Sequence, residues 1–260
     1  MITSTKNDQV KAVIELKKKA RARNEQGLFV VEGVRMAAEL PKDQVKSIYV
    51  SETFAKNPEN AAILAEYPGY ELVSDSVFAV MSDTQTPQGV LALVRQFSYG
   101  MDELLKSDRP AHLMVLENLQ DPGNLGTILR AGEGAGITGL IMSRDTVDIY
   151  NPKVIRSTMG SVFRVPFLIY DDLGEAVNEL KKDGVKVYAA HLDGKNNYDE
   201  ESYETSSAFL IGNESKGLSE QITAMADCLV KIPMEGQLES LNAAVSAALL
   251  MYESRKNKRK

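Results

Sequence analysis

The chain of 260 residues offers little material for metal or disulfide chemistry. It contains one cysteine, Cys228, and two histidines, His112 and His191. A single cysteine excludes an intramolecular disulfide and is typical of a reducing compartment. So few side chains of this kind also argue against a zinc site. We therefore expect no metal. The apolar context of Cys228, ADCLVKI, favours a buried core thiol over a nucleophile, and we do not expect either histidine to be catalytic.

Long apolar runs are also missing. No stretch approaches the roughly 18 consecutive apolar residues that a membrane span needs, and the start, MITSTKNDQV, lacks the apolar core of a signal peptide. The hydrophobic content of 43% and the charged content of 25% are those of an ordinary globular protein. We expect a cytoplasmic protein of one large or two modest domains, with no membrane partner.

The net charge of −6 conceals two basic segments. Residues 6–23 hold seven Lys or Arg against two acids, and residues 255–260 hold five basic residues and no acid. The remaining body is therefore strongly acidic. Basic ends on an acidic body indicate directed contact with a polyanion. The alternative is that the lysines at 17–19 form a solvated helix face and that the tail is only a solubilising end.

The hydrophobic pattern predicts two stretches of alternating helix and strand, separated by a polar linker at 98–110. The linker divides a first domain, 1–97, from a second, 111–260. In the first domain we predict helices at 10–22, 34–40, 52–66 and 75–81, with Asp75 as an N-cap, and strands at 29–31, 47–50, 70–73 and 89–95. In the second, strands near 113–118, 138–142, 163–169, 185–190, 207–211 and 228–233 alternate with helices, and a last helix begins at about Ser240. Such alternation implies a mainly parallel sheet.

The most informative segment of the chain is NLQDPGNLGTILRAGEGAG at 118–136. A buried strand leads into a sharp turn at 121–123, where proline fixes φ and glycine accepts unusual backbone angles. The helix that follows has one apolar face. Arg130 lies roughly opposite that face at ~100° per residue, so we expect it to point away from its own core and to be available to a ligand, a nucleic acid or another subunit.

Two later segments repeat this strand-to-loop construction. LIGNESKGL at 210–218 is an apolar strand that ends in a glycine-bracketed polar loop, and IPMEG at 232–236 leads into SLNAAVS at 240–246. Together the three segments resemble the three motifs of the SpoU (TrmH-type) RNA ribose 2′-O-methyltransferases, members of the SPOUT superfamily. The likeness is close over residues 111–252 and looser before them.

This resemblance implies an α/β fold in which a knotted (trefoil) parallel-sheet SPOUT domain follows a small α/β-sandwich substrate-binding domain. Pattern alone would favour a doubly wound domain with its ligand at the strand carboxyl ends. The dinucleotide and Walker fingerprints are missing. The strand at 138–142 is followed by Ser143 and not by an acid, which argues against the common Rossmann-type methyltransferases. The knot is an expectation from the resemblance alone, because pattern reasoning would not propose one.

The resemblance also implies S-adenosyl-L-methionine as cofactor, bound in an apolar slot where main-chain groups read the adenine edge. For several of these residues, Ile232 and Leu241 above all, core packing is the alternative role. The predicted cofactor-binding residues are Gly212, Ile232, Leu241, Met234, Ala190 and Pro233.

On the acceptor side, we predict that Arg130 orients the target phosphate or hydroxyl and stabilises developing negative charge. The 2′-hydroxyl proton could leave to Arg130, to an RNA phosphate or to water. Asn124, ~9 Å away along a helix, either serves a different partner or caps the helix. Ser240 and Asn242 are predicted to bridge acceptor and backbone, with an N-cap as the alternative for Ser240. Glu214 is predicted to fix the cofactor loop by accepting backbone N–H groups.

The sequence thus predicts an S-adenosylmethionine-dependent RNA 2′-O-ribose methyltransferase that acts on large-subunit (23S) ribosomal RNA. The alternatives are a transfer RNA methyltransferase and a non-catalytic RNA-binding or ribosome assembly factor; the basic ends disfavour a small-molecule enzyme. Small residues of the last helix predict a homodimer through the catalytic domain, with Arg130 acting in cis or in trans. The predicted RNA-binding residues are Lys17, Lys18, Lys19, Arg21, Lys153 and Arg156.

Overall fold

A computed structural model describes residues 1–105 and 109–257 of the chain. In chain order the helices are α1 (Asp8–Lys18), α2 (Ala20–Gln26), α3 (Val34–Ala38), α4 (Glu52–Lys56), α5 (Ala61–Glu66), α6 (Asp75–Met81), α7 (Met101–Leu105), α8 (Pro122–Ala135), α9 (Pro152–Thr158), α10 (Leu173–Lys182), α11 (Glu220–Ala224) and α12 (Ala243–Asn257). The strands are β1 (Leu28–Glu32), β2 (Val45–Ser51), β3 (Glu71–Val73), β4 (Val90–Arg95), β5 (His112–Leu116), β6 (Gly139–Ser143), β7 (Phe167–Tyr170), β8 (Lys186–Ala190), β9 (Asn196–Asn197), β10 (Ser207–Ile211) and β11 (Cys228–Lys231).

Among the described helices, none has the length and apolar character to cross a lipid bilayer. Residues 258–260 of the predicted basic tail lie outside the described part.

The first compact unit comprises Met1–Ser98 together with Asp148–Phe163. Its four-stranded sheet has the order β1-β4-β2-β3, with β4 antiparallel to both neighbours and β3 parallel to β2. Helices α1 and α6 place apolar residues, Val13 and Phe78 among them, in one core cluster with the strand residues Val30 and Leu93. The predicted alternation of helix and strand over residues 1–97 is confirmed.

Two helices predicted in this unit as continuous are interrupted. The predicted helix at 10–22 breaks at Lys19, whose backbone is extended, so that α1 and α2 are separate. The predicted helix at 52–66 becomes α4, a 3₁₀ turn at Pro58–Asn60 and α5. The cause is local, because the residue before a proline avoids the helical region, and Asn57 accordingly has an extended backbone (φ −81°, ψ 116°).

The prediction of Asp75 as an N-cap is wrong by one residue. Ser74 occupies the N-cap position of α6, and Asp75 is the first helical residue. The carboxylate of Asp75 instead accepts hydrogen bonds from the backbone N–H (3.1 Å) and the hydroxyl (2.8 Å) of Thr53. These bonds lower the pKa of Asp75, so this acid stabilises α4 against α6.

The segment Asp148–Phe163 contacts the first unit although it lies between parts of the second in sequence. The Tyr150 ring lies 4.6 Å from that of Phe29. The guanidinium of Arg23, which is only 3% exposed, donates to the Asp148 carboxylate (Nε to Oδ2, 2.8 Å) and to the Leu16 carbonyl (2.7 Å). A buried charge needs such partners, so the fold of this unit includes a distant piece of chain.

The second compact unit, Tyr99–Val147 with Arg164–Lys260, contains a seven-stranded sheet of order β7-β6-β5-β10-β8-β11-β9. Every pairing in it is parallel, which confirms the predicted parallel sheet. The strand predicted at 163–169 begins only at Phe167, because Ser161–Phe163 forms a 3₁₀ turn. The carboxyl ends of β5 and β10, central neighbours in the sheet, lie at one edge, where the motif loops begin.

The stretch predicted as a linker, 98–110, contains a helix. In α7 the side chain of Leu104 is fully buried, and a Cβ placed on Gly139 would lie 2.2 Å from its Cγ. Residues 106–108 lie outside the described part. The helix escaped detection because five residues are too few to show an apolar period. The boundaries at 97/98 and 110/111 stay a prediction.

The last helix, α12, begins at Ala243 and not at Ser240, and it packs against α8. Of its small residues, Ala243, Ala244 and Ala247 are buried within the chain, whereas Ser246 and Ala248 are partly exposed. The close approach involves glycine as well, because a Cβ on Gly132 would lie 3.3 Å from the sulfur of Met251. The outer face of α12 remains apolar and half exposed.

Candidate functional site

The loop between β5 and α8 begins with a strained residue and ends in a capped helix. Asn118 has φ +54°, and its backbone N–H donates to the Ser143 hydroxyl (2.8 Å). Asp121 is the N-cap of α8, because its carboxylate accepts the N–H of Asn124 (2.8 Å). Asn124 itself lies inside the first helical turn, so its alternative role as a cap is ruled out and its side chain is available for other partners.

Glu214 lies in the loop after β10, and its side chain connects that loop to the loop between β5 and α8. Its carboxylate accepts the backbone N–H of Gln120 (3.0 Å), the backbone N–H of Asp121 (2.9 Å) and the amide of Asn124 (3.0 Å). Partial burial raises the pKa of Glu214, but these donors outweigh it, and the pKa lies below its ordinary value. Glu214 therefore accepts backbone N–H groups as predicted, but chiefly from the loop before α8.

A second amide extends this chain to the start of α12. The Nδ2 of Asn242 donates to the Oδ1 of Asn124 (2.9 Å), and its own Oδ1 accepts the N–H of Ala244 (2.9 Å). Asn242 therefore caps α12, which rules out the alternative N-cap role of Ser240. Ser240 is exposed two residues before the cap. The structure thus joins Glu214, Asn124 and Asn242, predicted from three separate motifs, in one hydrogen-bonded chain.

Arg130 lies on the same helix as Asn124, six residues further on. It is exposed, and its guanidinium has no hydrogen-bond or ion-pair partner in the described part of the chain. The prediction that it points away from its own core is confirmed. Six residues of helix separate it from Asn124 by about 9 Å.

The predicted cofactor residues lie at or after the carboxyl ends of β8, β10 and β11. Ala190 is the last residue of β8, and Gly212 directly follows β10. Ile232, Met234 and Leu241 are partly buried in the stretch between β11 and α12, where Pro233 is exposed.

The main chain at Gly212 leaves no room for a side chain. A Cβ there would lie 2.1 Å from the carbonyl carbon of Gly217 and 2.2 Å from the nitrogen of Leu218. The loop's own backbone therefore excludes any side chain at this position. Such tight turns present main-chain N–H and C=O groups instead of side chains, which fits a cofactor whose adenine edge is read by backbone.

The predicted RNA-binding residues differ in their availability. Lys17 is half buried, its ammonium donates to the Met81 carbonyl, and burial lowers its pKa. Arg156 pairs with Asp83 at 3.0 Å, so these two cations serve the fold of the first unit. Lys19 and Arg21 are exposed and form helix-surface ion pairs with acids four residues away. Lys18 and Lys153 are exposed, without an ion-pair partner among the described residues.

Cys228 is only partly buried, so the prediction of a buried core thiol is wrong. Its Sγ lies 3.6 Å from the Oε1 of Glu201, and burial raises the pKa of the thiol. A raised pKa reduces the thiolate fraction, which agrees with the expectation that this residue is not a nucleophile.

Sequence reasoning missed three polar residues that build the site. Asp121 caps α8. Glu117 is buried and accepts both the N–H and the hydroxyl of Ser219 (2.7 Å each). Asn213 donates its amide to the Asn118 carbonyl (2.8 Å). Asp121 and Asn213 lie inside the motif segments. Their position after the carboxyl end of a parallel strand could have identified them as candidate site residues.

Comparison with known proteins agrees with this geometry. The model of the SpoU rRNA methylase family matches residues 111–252, more than half of the chain, and that of the MRM3-like substrate binding domain matches residues 7–92. The chain belongs to the SpoU rRNA methylase family. The predicted family and enzyme class are therefore confirmed: the protein is a SpoU methyltransferase, whose methyl donor is S-adenosylmethionine.

Relatives of the SpoU family cover nearly the whole chain. The 23S rRNA (guanosine(2553)-2′-O)-methyltransferase RlmP of Bacillus subtilis (strain 168) is 33% identical over 98% of this chain and 98% of its own. An AdoMet-bound rRNA methyltransferase from Sinorhizobium meliloti superposes with a TM-score of 0.86 at 27% identity, covering 100% and 98% of the two chains. An uncharacterized tRNA/rRNA methyltransferase of Synechocystis sp. (strain ATCC 27184 / PCC 6803 / Kazusa) is also 33% identical, over 98% of this chain and 93% of its own.

Proposed function

We propose that this chain methylates the 2′-hydroxyl of a ribose in large-subunit ribosomal RNA. The observation that carries the proposal is the hydrogen-bonded chain of Glu214, Asn124 and Asn242 at the foot of α8. Arg130 is exposed on this same helix and has no partner among the described residues. The activity named for the Bacillus subtilis relative, guanosine 2′-O-methylation of 23S rRNA, supports both the reaction and the class of RNA.

In this reaction S-adenosylmethionine supplies the methyl group when it is bound. The turn at Gly212 and the stretch from Ile232 to Leu241 would hold it through main-chain atoms. Arg130 orients the phosphate or the hydroxyl of the target nucleotide and stabilises negative charge on the 2′-oxygen as its proton passes to an RNA phosphate or to water. The chain of Glu214, Asn124 and Asn242 fixes the acceptor side in advance, so that alignment costs little at the moment of reaction.

The proposal includes a cytoplasmic homodimer whose catalytic domain, 111–260, is tied in a trefoil knot and preceded by a substrate-binding domain, 1–97. The match of the SpoU family model over residues 111–252 supports the knot. The outer face of α12 supports the dimer, since Val245 and Tyr252 are 47% and 51% exposed. A second copy would cover this apolar face.

The test is a map of ribose methylation across total RNA from cells with and without the gene. One 2′-O-methyl group missing from large-subunit ribosomal RNA, restored by the wild type and not by Arg130→Ala, is the expected result. A missing methyl group on transfer RNA would identify the alternative substrate. An unchanged map, together with purified protein that transfers no methyl group to any RNA, would leave a non-catalytic RNA-binding factor.

A further inference from the structure

Three side chains connect the loop after β10, residues 213–219, to the loop before α8, residues 117–121, and the first turn of α8. Glu214 and Glu117 are two of them, and each reaches across to backbone N–H groups or hydroxyls of the other loop. The third is Asn213, which differs from both because its two amide atoms serve different loops. The oxygen stays in its own turn and the nitrogen crosses to the neighbouring one.

The oxygen of Asn213 closes the turn that follows Gly212. Oδ1 accepts the N–H of Ser215 (2.9 Å) and of Lys216 (3.1 Å). The backbone of Asn213 completes the same turn by exchanging hydrogen bonds with Gly217 at 3.0 and 2.9 Å. One side of the amide therefore sets the shape of the turn on which cofactor binding depends.

The nitrogen of Asn213 holds the residue from which the acceptor loop starts. Nδ2 donates to the carbonyl of Asn118 at 2.8 Å. Asn118 has the left-handed φ of +54°, a conformation that needs support in a residue with a side chain. Its Oδ1 accepts the hydroxyl of Ser143 at 2.8 Å, so it is held from β6 as well. The loop that starts at Asn118 leads into α8 and hence to Arg130.

Resting on the proposed function, we infer that Asn213 is a positioning residue that couples the two halves of the site. When cofactor orders the turn at Gly212, Asn213 transmits that order to Asn118 and so to the start of α8. The position of Arg130 for the target nucleotide then depends on whether cofactor is bound. RNA binds more tightly to the cofactor-loaded protein, and the two affinities change by the same factor because the linkage is reciprocal.

The variant that separates the two roles is Asn213→Asp. It keeps an oxygen for the turn but sets a second oxygen against the Asn118 carbonyl in place of the donor. Asn213→Ser is a second route, because a hydroxyl can still accept within its own turn and is too short to reach Asn118. Asn178→Asp makes the same chemical change on the exposed face of α10 and is the matched control. Thermal unfolding checks that every variant is folded.

Three measurements on the full-length protein test the inference: the affinity for S-adenosylhomocysteine, kcat at saturating cofactor, and the affinity for large-subunit ribosomal RNA with and without S-adenosylhomocysteine. For Asn213→Asp and Asn213→Ser we expect cofactor affinity within about 3-fold of wild type. We also expect the cofactor-dependent gain in RNA affinity, within the roughly 5–150-fold range typical of coupled sites, to be lost, and kcat to fall. Asn178→Asp should match wild type throughout.

Several outcomes would overturn the inference. If the RNA affinity of the wild type is the same with and without S-adenosylhomocysteine, the two binding sites are not coupled. Unchanged kcat or unchanged coupling in both variants would show that Asn213 does not couple the two loops. An equal loss of cofactor affinity and kcat would show that Asn213 only maintains the shape of the turn after Gly212. A wild type that binds S-adenosylhomocysteine but methylates no RNA would instead refute the proposed function, so the two failures are distinguishable.

Discussion

At the scale of single residues, Arg130 is a cation without a structural partner in the described part of the chain. It is exposed on α8, and the hydrogen bonds that fix this helix come from Asp121, Glu214 and Asn124 instead. A residue that supports no local contact can be removed without loss of fold. Its presence at the end of a built site is therefore best explained by a ligand.

Arg130→Ala should leave cofactor affinity nearly unchanged and lower methyl transfer by about 10²–10⁴-fold, the range for a group that positions a proton or stabilises charge. Calorimetry with S-adenosylhomocysteine and single-turnover methylation measure the two effects. Arg144→Ala removes an exposed arginine of the same unit, paired with Asp171, and should change neither. Parallel losses of binding and activity in Arg130→Ala would show a structural residue.

Gly212→Ala should abolish cofactor binding because its Cβ has no space. The atom would lie 2.1 Å from the backbone of Gly217, which cannot move aside as a flexible side chain can. Gly69→Ala, at a position with open space around the Cβ, is the control. Calorimetric titration with S-adenosylhomocysteine is the measurement, and a wild-type affinity in Gly212→Ala would refute the role of this turn.

At the scale of elements, α1 with α2 and the segment at 148–163 depend on each other. Arg23 is buried, and Asp148 supplies its only carboxylate contact in the described part of the chain. Tyr150 adds aromatic contact with Phe29. The first unit therefore cannot be complete without a segment that follows it by some fifty residues in sequence.

Asp148→Ala should destabilise the first unit by about 3–5 kcal/mol, because it leaves a buried guanidinium without its counter-charge. Urea unfolding followed by circular dichroism gives the free energy of unfolding. Glu25→Ala breaks the exposed pair with Arg21 and should cause no measurable change. Equal effects of the two substitutions would contradict the structural role of the buried pair.

RNA affinity should depend steeply on salt through the exposed cations of α1 and α9. Replacing Lys18 and Lys153 by glutamine should weaken binding and reduce the salt slope by about 1 for each phosphate that is no longer neutralised. Lys17→Gln should instead lower stability, because its ammonium is tied to the Met81 carbonyl. Filter binding over a salt series is the measurement. A slope that changes only in Lys17→Gln would reverse this assignment.

At the scale of the whole molecule, the outer face of α12 and the exposed Arg130 predict a homodimer with shared sites. Inactive Arg130→Ala and Gly212→Ala subunits should regain about a quarter of wild-type activity when mixed. Random exchange makes half of the dimers mixed, and each mixed dimer has one intact site. Activity that stays absent in mixed dimers would place Arg130 in cis, and a monomer in sedimentation at micromolar concentration would end the proposal.

The sequence by itself determined the strands of both sheets apart from the two-residue β9, the exposure of Arg130 and the three polar loops, because strand runs and helical faces are local patterns. It also determined the family, whose motifs are contiguous. Only the tertiary structure decided which lysine is buried and which amide meets which carboxylate. The contacts of Arg23 with Asp148 and of Asn242 with Asn124 join residues more than a hundred positions apart. Hydrogen-bond partners at that separation follow from strand order, and no local pattern encodes them.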